Sequence, residues 1–264
     1  MWTRWTCSPT RTTSRRSPSS LAQAAERSIS VVWIMNHPLA LPTDSVVGVG
    51  DYYDRLRPLV EAYSDRASVQ RISVVGNQPL APSAERAALI DGADLVFRVN
   101  GFRIDDAVSG PCVGTRTDVV VFNRGVRPTP WFFADYTRRL YLLVEPGRLL
   151  WENEKVPAFW PQDLGFVTIP NREVIIPLND TIGLDAKGLG LWATTGTTML
   201  WIAVHLFPDA RIDVAGLSFV DDPAQTAWNH AYGAPSPVGR EHRIGNEADL
   251  VRSWIAEDRI TYHR

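Results

Sequence analysis

Cysteine is nearly absent from this chain: two residues in 264, Cys7 in an unusual N-terminal stretch and Cys112 beside Pro111. Two thiols so placed make a poor disulfide framework, and a reducing cytoplasm is the simplest compartment. A surplus of one charge is lacking too. Lysine and arginine number 27 against 29 aspartates and glutamates, a formal charge of -2, so no global field would hold the chain on nucleic acid or anionic lipid. Long hydrophobic runs are missing, the most apolar stretches being Ile29 to Met35 and Thr198 to Leu206. A soluble chain without a membrane span is therefore expected. There is no Asp-x-Asp to hold a metal on a sugar diphosphate, no Walker loop and no Cys/His cluster with ligand spacing. Gly48-Val-Gly50 resembles the start of a dinucleotide loop, but Tyr53 stands at the third glycine position and NAD is discounted.

What is present suits a globular catalyst. A hydrophobic content of 45% over this length can bury one full α/β core. Residues 1–27 are rich in Arg, Ser and Thr without an apolar h-region, and read as a disordered or misassigned leader, with a transit peptide as the lower-ranked alternative for the same segment. Residues 28–264 then form one catalytic domain.

Short apolar, β-branched runs recur at Ser28–Ile34, Ile72–Val75, Leu95–Val99, Val119–Phe122, Leu140–Val144, Phe166–Ile169 and Ile212–Ala215. Helix-length segments such as Tyr53–Arg66 and Thr197–Leu206 lie between several of them. Strands alternating with helices predict a single Rossmann-like α/β domain, its mostly parallel sheet flanked by helices, with ligands outside the carboxyl ends of the strands. The proline- and tryptophan-containing stretch from Arg124 to Gly190 reads as an insertion or lid facing the acceptor. The plainer alternative has Trp131, Trp151 and Trp160 filling core, and they receive no role.

Three predicted strand ends carry the same punctuation: Val74-Val75-Gly76-Asn77, Phe97-Arg98-Val99-Asn100 and Val121-Phe122-Asn123. Asparagine tolerates turn geometry and offers both donor and acceptor, so three on one rim could hold ribose hydroxyls and a phosphate. Each taken singly is equally well a turn residue.

Four segments then stand in an informative order. Arg71–Asn77, Ile90–Asn100 and Val113–Asp118 together resemble the large sialylmotif of the eukaryotic-type sialyltransferases, glycosyltransferase family 29. Thr194-Thr-Gly-Thr-Thr-Met-Leu200 followed by Ile212–Phe219 is similar to the small sialylmotif. Trp228-Asn-His-Ala-Tyr232 resembles the third motif, and His242-Arg-Ile-Gly-Asn-Glu247 reproduces the His-x4-Glu pattern of the very small one. The Asn-terminated runs are also similar to bacterial lipooligosaccharide sialyltransferases, a likeness that supports Asn123 as a nucleotide contact.

The resemblance implies a sialyltransferase variant of the GT-A architecture and a CMP-sugar-dependent glycosyltransferase. Such an enzyme transfers sialic acid or a related nonulosonate to a glycan hydroxyl without a metal or resident cofactor. A CMP-sugar already carries a good leaving group, so the chemistry needs an acceptor hydroxyl deprotonated as the anomeric centre becomes cationic, and histidine is the natural base. By resemblance that base is His242, with Glu247 orienting its ring or capping the following helix. His230 and Tyr232 would donate to the leaving phosphate. Gly76, Asn77, Asn100, Asn123, Thr195, Gly196 and Thr197 would bind the donor, the last three because Thr194-Thr-Gly-Thr-Thr opens a helix N-terminus, a ready anion site.

Two departures are visible. The family disulfide between the large and small motifs falls on Ser73 and Phe207, so no bridge can form, and the third motif reads His-Ala-Tyr-Gly in place of an aromatic pair followed by a polar residue. Rival readings are the same scaffold using another nucleotide-sugar, and a nucleotide-binding protein that has lost transfer. Acceptor, linkage and oligomeric state, homo-oligomer included, are not readable from the sequence.

Overall fold

The computed structural model describes residues 49–145, 159–233 and 235–264, all within the compact unit Ala40–Arg264. The expected leader, the strand at Ser28–Ile34, Gly48 and Trp151 lie outside the described residues.

The chain opens with helix α1 (Val49–Glu61) and continues through β1 (Arg71–Val75), α2 (Ala84–Asp91), β2 (Leu95–Val99), β3 (Val119–Phe122) and β4 (Leu140–Val144). After β5 (Val167–Ile169) a short π-helix at Asn171–Ile175 leads into α3 (Ile176–Thr181), then α4 (Thr195–Leu206) and β6 (Arg211–Ala215). The short α5 (Ser218–Asp221), an antiparallel pair of two-residue strands β7 (Ala227–Trp228) and β8 (Ser236–Pro237), α6 (Ile244–Ala256) and β9 (Thr261–His263) complete it.

Seven strands make one sheet in the order β5-β4-β3-β2-β1-β6-β9, every neighbouring pair parallel. Parallel strands are covered on both faces and so read as unbroken apolar runs. Every residue of β2, β3 and β4 is buried. Alternate residues sort to two faces. Ile72, Val74, Leu95, Phe97, Val99, Val119 and Val121 pack with Met199, Leu200 and Ile202 of α4, while Val120, Phe122, Tyr141 and Leu143 join an aromatic cluster with Phe102, Phe132 and Trp160. Helix α4 is buried on nearly every side, which explains why its residues are apolar all round. It is tied to α1 by Trp201 Nε1 donating to the Tyr53 hydroxyl at 2.9 Å.

Several expectations need correction. The predicted helix Tyr53–Arg66 begins and ends earlier, at Val49–Glu61, so Val49 and Gly50 form its first turn instead of a dinucleotide loop. The stretch Arg124–Gly190 is not an inserted lid: its described part supplies β4, β5 and α3, and extends the sheet at one edge. Trp160 is a core residue, stacked on Phe122 with ring centroids 4.8 Å apart. Strand β9, short and on the sheet edge, was not anticipated.

The order of strands fixes where a ligand can go. From β1 the chain proceeds outward to β5 on one side, then returns to place β6 on the other side of β1. The connections therefore diverge between β1 and β6, leaving a crevice above their carboxyl ends, the usual ligand position in open parallel sheets.

Candidate functional site

A cleft of about 290 Å³ occupies that crevice. Its floor is made by the ends of β1, β2, β3 and β6, contributing Gly76, Asn77, Asn100, Asn123 and Gly216, and one wall by the start of α4. The loops holding His230 and His242 close the other side.

Glycine is required where β1 and β6 leave the sheet. A Cβ on Gly76 would stand 2.1 Å from the Gly216 carbonyl oxygen, and Gly216 itself adopts a left-handed φ of 75°. The two backbones lock together, Gly76 N donating to Ala215 O at 2.8 Å and Gln78 N to Gly216 O at 3.0 Å.

The three asparagines form the frame above this floor. Asn77 Nδ2 donates to the carbonyls of Val99 and Gly101 at 2.9 and 2.8 Å, bracing β1 against the end of β2. Asn100 takes a left-handed φ of 50°, which asparagine tolerates better than most residues, and its side-chain oxygen accepts from Asn123 N at 3.2 Å. Asn123 Nδ2 in turn donates to Thr195 Oγ1 at 2.9 Å, while its Oδ1 accepts from Gly125 N at 2.8 Å. These bonds leave Asn77 Oδ1 and Asn100 Nδ2 as the amide atoms not used in bracing.

Helix α4 begins at a double cap. The Thr194 hydroxyl accepts from Thr197 N at 3.2 Å, and Glu247 Oε2 accepts from Thr194 N at 3.0 Å, from the Thr194 hydroxyl at 2.6 Å and from the Thr197 hydroxyl. Glu247 is fully buried and its other oxygen, Oε1, has no partner among the described residues. Burial pushes this carboxyl's pKa up, against the threonine hydrogen bonds and nearby His242, which pull it down. Thr195 and Gly196 therefore present the first turn of a rigid helix to the cleft.

Thr197 and Glu247 do not line the cleft. Thr197 is buried and spent on Glu247, and Glu247 fixes the helix start instead of orienting the His242 ring. That ring is oriented by Trp192, whose carbonyl lies 2.8 Å from His242 Nδ1. Nδ1 therefore carries the proton in the neutral ring, and Nε2 keeps its lone pair. Nε2 lies 3.6 Å from Oε1 of Glu241, a cleft-lining carboxylate that the sequence reading had passed over.

His230 lines the cleft with Nε2 3.4 Å from the Ser236 hydroxyl, and burial lowers its pKa from the ordinary value. Tyr232 does not line the cleft. It stacks flat on the His230 ring, centroids 4.8 Å apart and planes 7° from parallel, and holds it in place. The described residues lining the cleft include no lysine or arginine. Gln78, Ser218, Trp228 and Asn229 also face it; the last three lie within the motif-like segments but were given no role there, and Gln78 lies just beyond the first of them.

Among the described residues no group of three His, Cys, Asp or Glu could hold a metal ion, and no helix is long and apolar enough to cross a membrane. The chain matches no protein-family model and no curated protein sequence. Among solved structures it is similar to a mammalian sialyltransferase crystallised with Gal-beta-1-3GalNAc-ortho-nitrophenol, at 14% identity and a TM-score of 0.47, over 90% of this chain and 85% of that one. A second crystal structure of a mammalian sialyltransferase matches at 14% identity and 0.47, over 89% and 84%. Likenesses at this level leave function to be argued from the cleft itself.

Proposed function

We propose that the protein is a metal-independent glycosyltransferase that moves sialic acid, or a related nonulosonate, from a CMP-sugar to a glycan hydroxyl. One observation carries the reading. Segments as far apart in the chain as Gly76, Asn100, Thr195, His230 and His242, singled out by their order in the sequence, meet around one cleft at the switch point of the sheet.

In this mechanism the donor phosphate sits against the N–H groups of Thr195 and Gly196 at the start of α4, where the helix dipole favours an anion. His230 donates to the same phosphate. Asn77 and Asn100 offer their remaining amide atoms to the nucleoside. His242 Nε2 takes the proton of the acceptor hydroxyl as its oxygen bonds to the anomeric carbon. The bond from that carbon to the phosphate oxygen breaks, and CMP departs with the electron pair. A monophosphate leaving group met by neutral donors and a histidine needs no metal clamp, so turnover should persist in EDTA.

The decisive experiment is steady-state transfer by His242→Ala with CMP titrated in parallel. A positioned general base contributes on the order of 10²- to 10⁴-fold, and turnover should fall within that range while CMP affinity holds. An unchanged rate would remove His242 from the chemistry. A second reading is favoured by the lack of lysine and arginine around the described cleft, since nothing there reads the carboxylate of a sialate as an ion pair. The same scaffold would then use a nucleotide-sugar with an uncharged sugar. Thermal shifts across CMP- and UDP-sugars separate the two.

A further inference from the structure

Glu241 is the one carboxylate among the described residues lining the cleft, and it stands beside the nitrogen assigned as base. Its backbone is held in place, and its half-exposed side chain reaches the cleft from there. Trp192 N donates to Glu241 O at 2.9 Å and His242 N to Gly239 O at 3.1 Å, so residues 239–242 are clamped against the chain at Trp192. The carboxylate then folds back over Gly239: a Cβ there would lie 2.3 Å from Glu241 Oε1 and 2.5 Å from Oε2. Glycine at 239 leaves the room that lets the side chain turn toward His242. Among the described residues the only ion-pair partner of this carboxylate is His242 itself, and only when that ring is protonated.

With His242 neutral, Nε2 and Oε1 are two hydrogen-bond acceptors 3.6 Å apart, facing the same space with no proton between them. That separation is too long for a hydrogen bond between them. Such a pair is complementary to two adjacent donors. A carboxylate here is also wrong for the donor sugar-nucleotide, whose phosphate it would repel, and right for a neutral polyol, from which it accepts charge-assisted hydrogen bonds. The adjacent oxygens of a gauche vicinal diol lie about as far apart as two hydrogen-bonded oxygens, roughly 2.8 Å. One hydroxyl can therefore reach Nε2 while its neighbour reaches Oε1.

Building on the transferase reading, we propose that Glu241 is an acceptor-binding residue and that the acceptor is a glycoside with a vicinal diol. One hydroxyl gives its proton to His242, and the adjacent hydroxyl is held by Glu241. Glu241 transfers nothing. It sets which hydroxyl is presented.

The test compares wild type, Glu241→Gln and Glu241→Ala on a galactoside and its set of monodeoxy analogues, reading kcat/KM together with the CMP dissociation constant. Losing a hydrogen bond to a charged group costs roughly 10- to 100-fold. Wild type should show that loss on one analogue, the one lacking the hydroxyl next to the accepting position. Glu241→Ala should be slow on the parent galactoside and should discriminate little against that analogue, with CMP binding unchanged or tighter. Glu241→Gln, which keeps an acceptor oxygen, should fall between. Undiminished discrimination in Glu241→Ala overturns the inference alone, and so does weakened CMP binding, which would put Glu241 on the donor side. No transfer by wild type from any CMP-sugar overturns the transferase reading and the inference with it.

Discussion

Glu247 offers the sharpest test of how the cleft wall is built. Its Oε2 accepts three hydrogen bonds from Thr194 and Thr197, its Oε1 is buried without a partner among the described residues, and none of the side chain is exposed. Glu247→Ala strands the Thr194 N–H and leaves both hydroxyls without this acceptor. A buried donor left unpaired costs about 1–3 kcal/mol, and with the cavity the total should reach about 3–5 kcal/mol. Folded domains are stable by only about 5–15 kcal/mol, so the loss is large. Glu247→Gln keeps shape and an acceptor oxygen and should cost within about 1 kcal/mol. The pH dependence gives an independent check. Burial raises this carboxyl's pKa in the folded state, so between its ordinary and raised values the folded protein binds more protons than the unfolded chain. Stability from this group is therefore complete below the ordinary carboxyl range and declines as pH rises through the folded value, by at most about 1.4 kcal/mol per pH unit. Glutamine cannot titrate. Urea denaturation of both proteins from pH 4 upward should show wild type losing ground to Glu247→Gln as pH rises. A constant or widening advantage for wild type refutes a carboxyl with raised pKa, and a glutamine variant as unstable as alanine refutes the hydrogen-bond accounting.

Four other outcomes follow from the floor and far wall of the cleft. Gly76→Ala should cost about 1–3 kcal/mol or more, because its Cβ meets backbone that cannot rotate away, and thermal melting reads this directly. Asn100→Gly and Asn100→Ala both take the acceptor from Asn123 N, and Asn100→Ala should lose about 1–2 kcal/mol more than Asn100→Gly for the left-handed backbone, while Asn77→Ala should lose about 1–3 kcal/mol for its two braced carbonyls as well as CMP affinity. Because burial lowers the pKa of His230, CMP binding should draw a proton onto it, strengthening as pH falls toward its titration. Calorimetry in two buffers of different ionisation enthalpy measures that uptake, and its absence in wild type or persistence in His230→Ala would exclude the contact.

The sheet was readable in advance because its strands are buried on both faces. Leu95–Val99, Val119–Phe122 and Leu140–Val144 need no alternation and appear as bare apolar runs, with the same bounds in the structure. Thr261–His263 pairs along one edge only and is half-exposed, so nothing apolar marks it. The asparagines at strand ends were readable as a set but not in their duties, since only the structure reveals that two carbonyls consume the Asn77 amide. Glu241 was invisible for a different reason. Its place depends on the clamp to Trp192 and on the space over Gly239, and neither leaves a local pattern.

A common physical theme ties these features together. The cleft holds its polarity with backbone ends, amides and hydroxyls, and the described residues lining it include no lysine or arginine. Dipoles fixed by a parallel sheet and by a buried helix cap cannot reorient, so they meet developing charge without the reorganisation that water or a long cationic side chain would require. They also act over short distances, so in the proposed reaction their effect would depend on a donor seated correctly against Thr195 and Gly196. In such a neutral setting, a single carboxylate at Glu241 has unusual leverage. With no lysine or arginine among the described residues lining the cleft, on the proposed reading it would divide the cleft into a side that repels phosphate and a side that accepts hydroxyls, with His242 on the boundary between them.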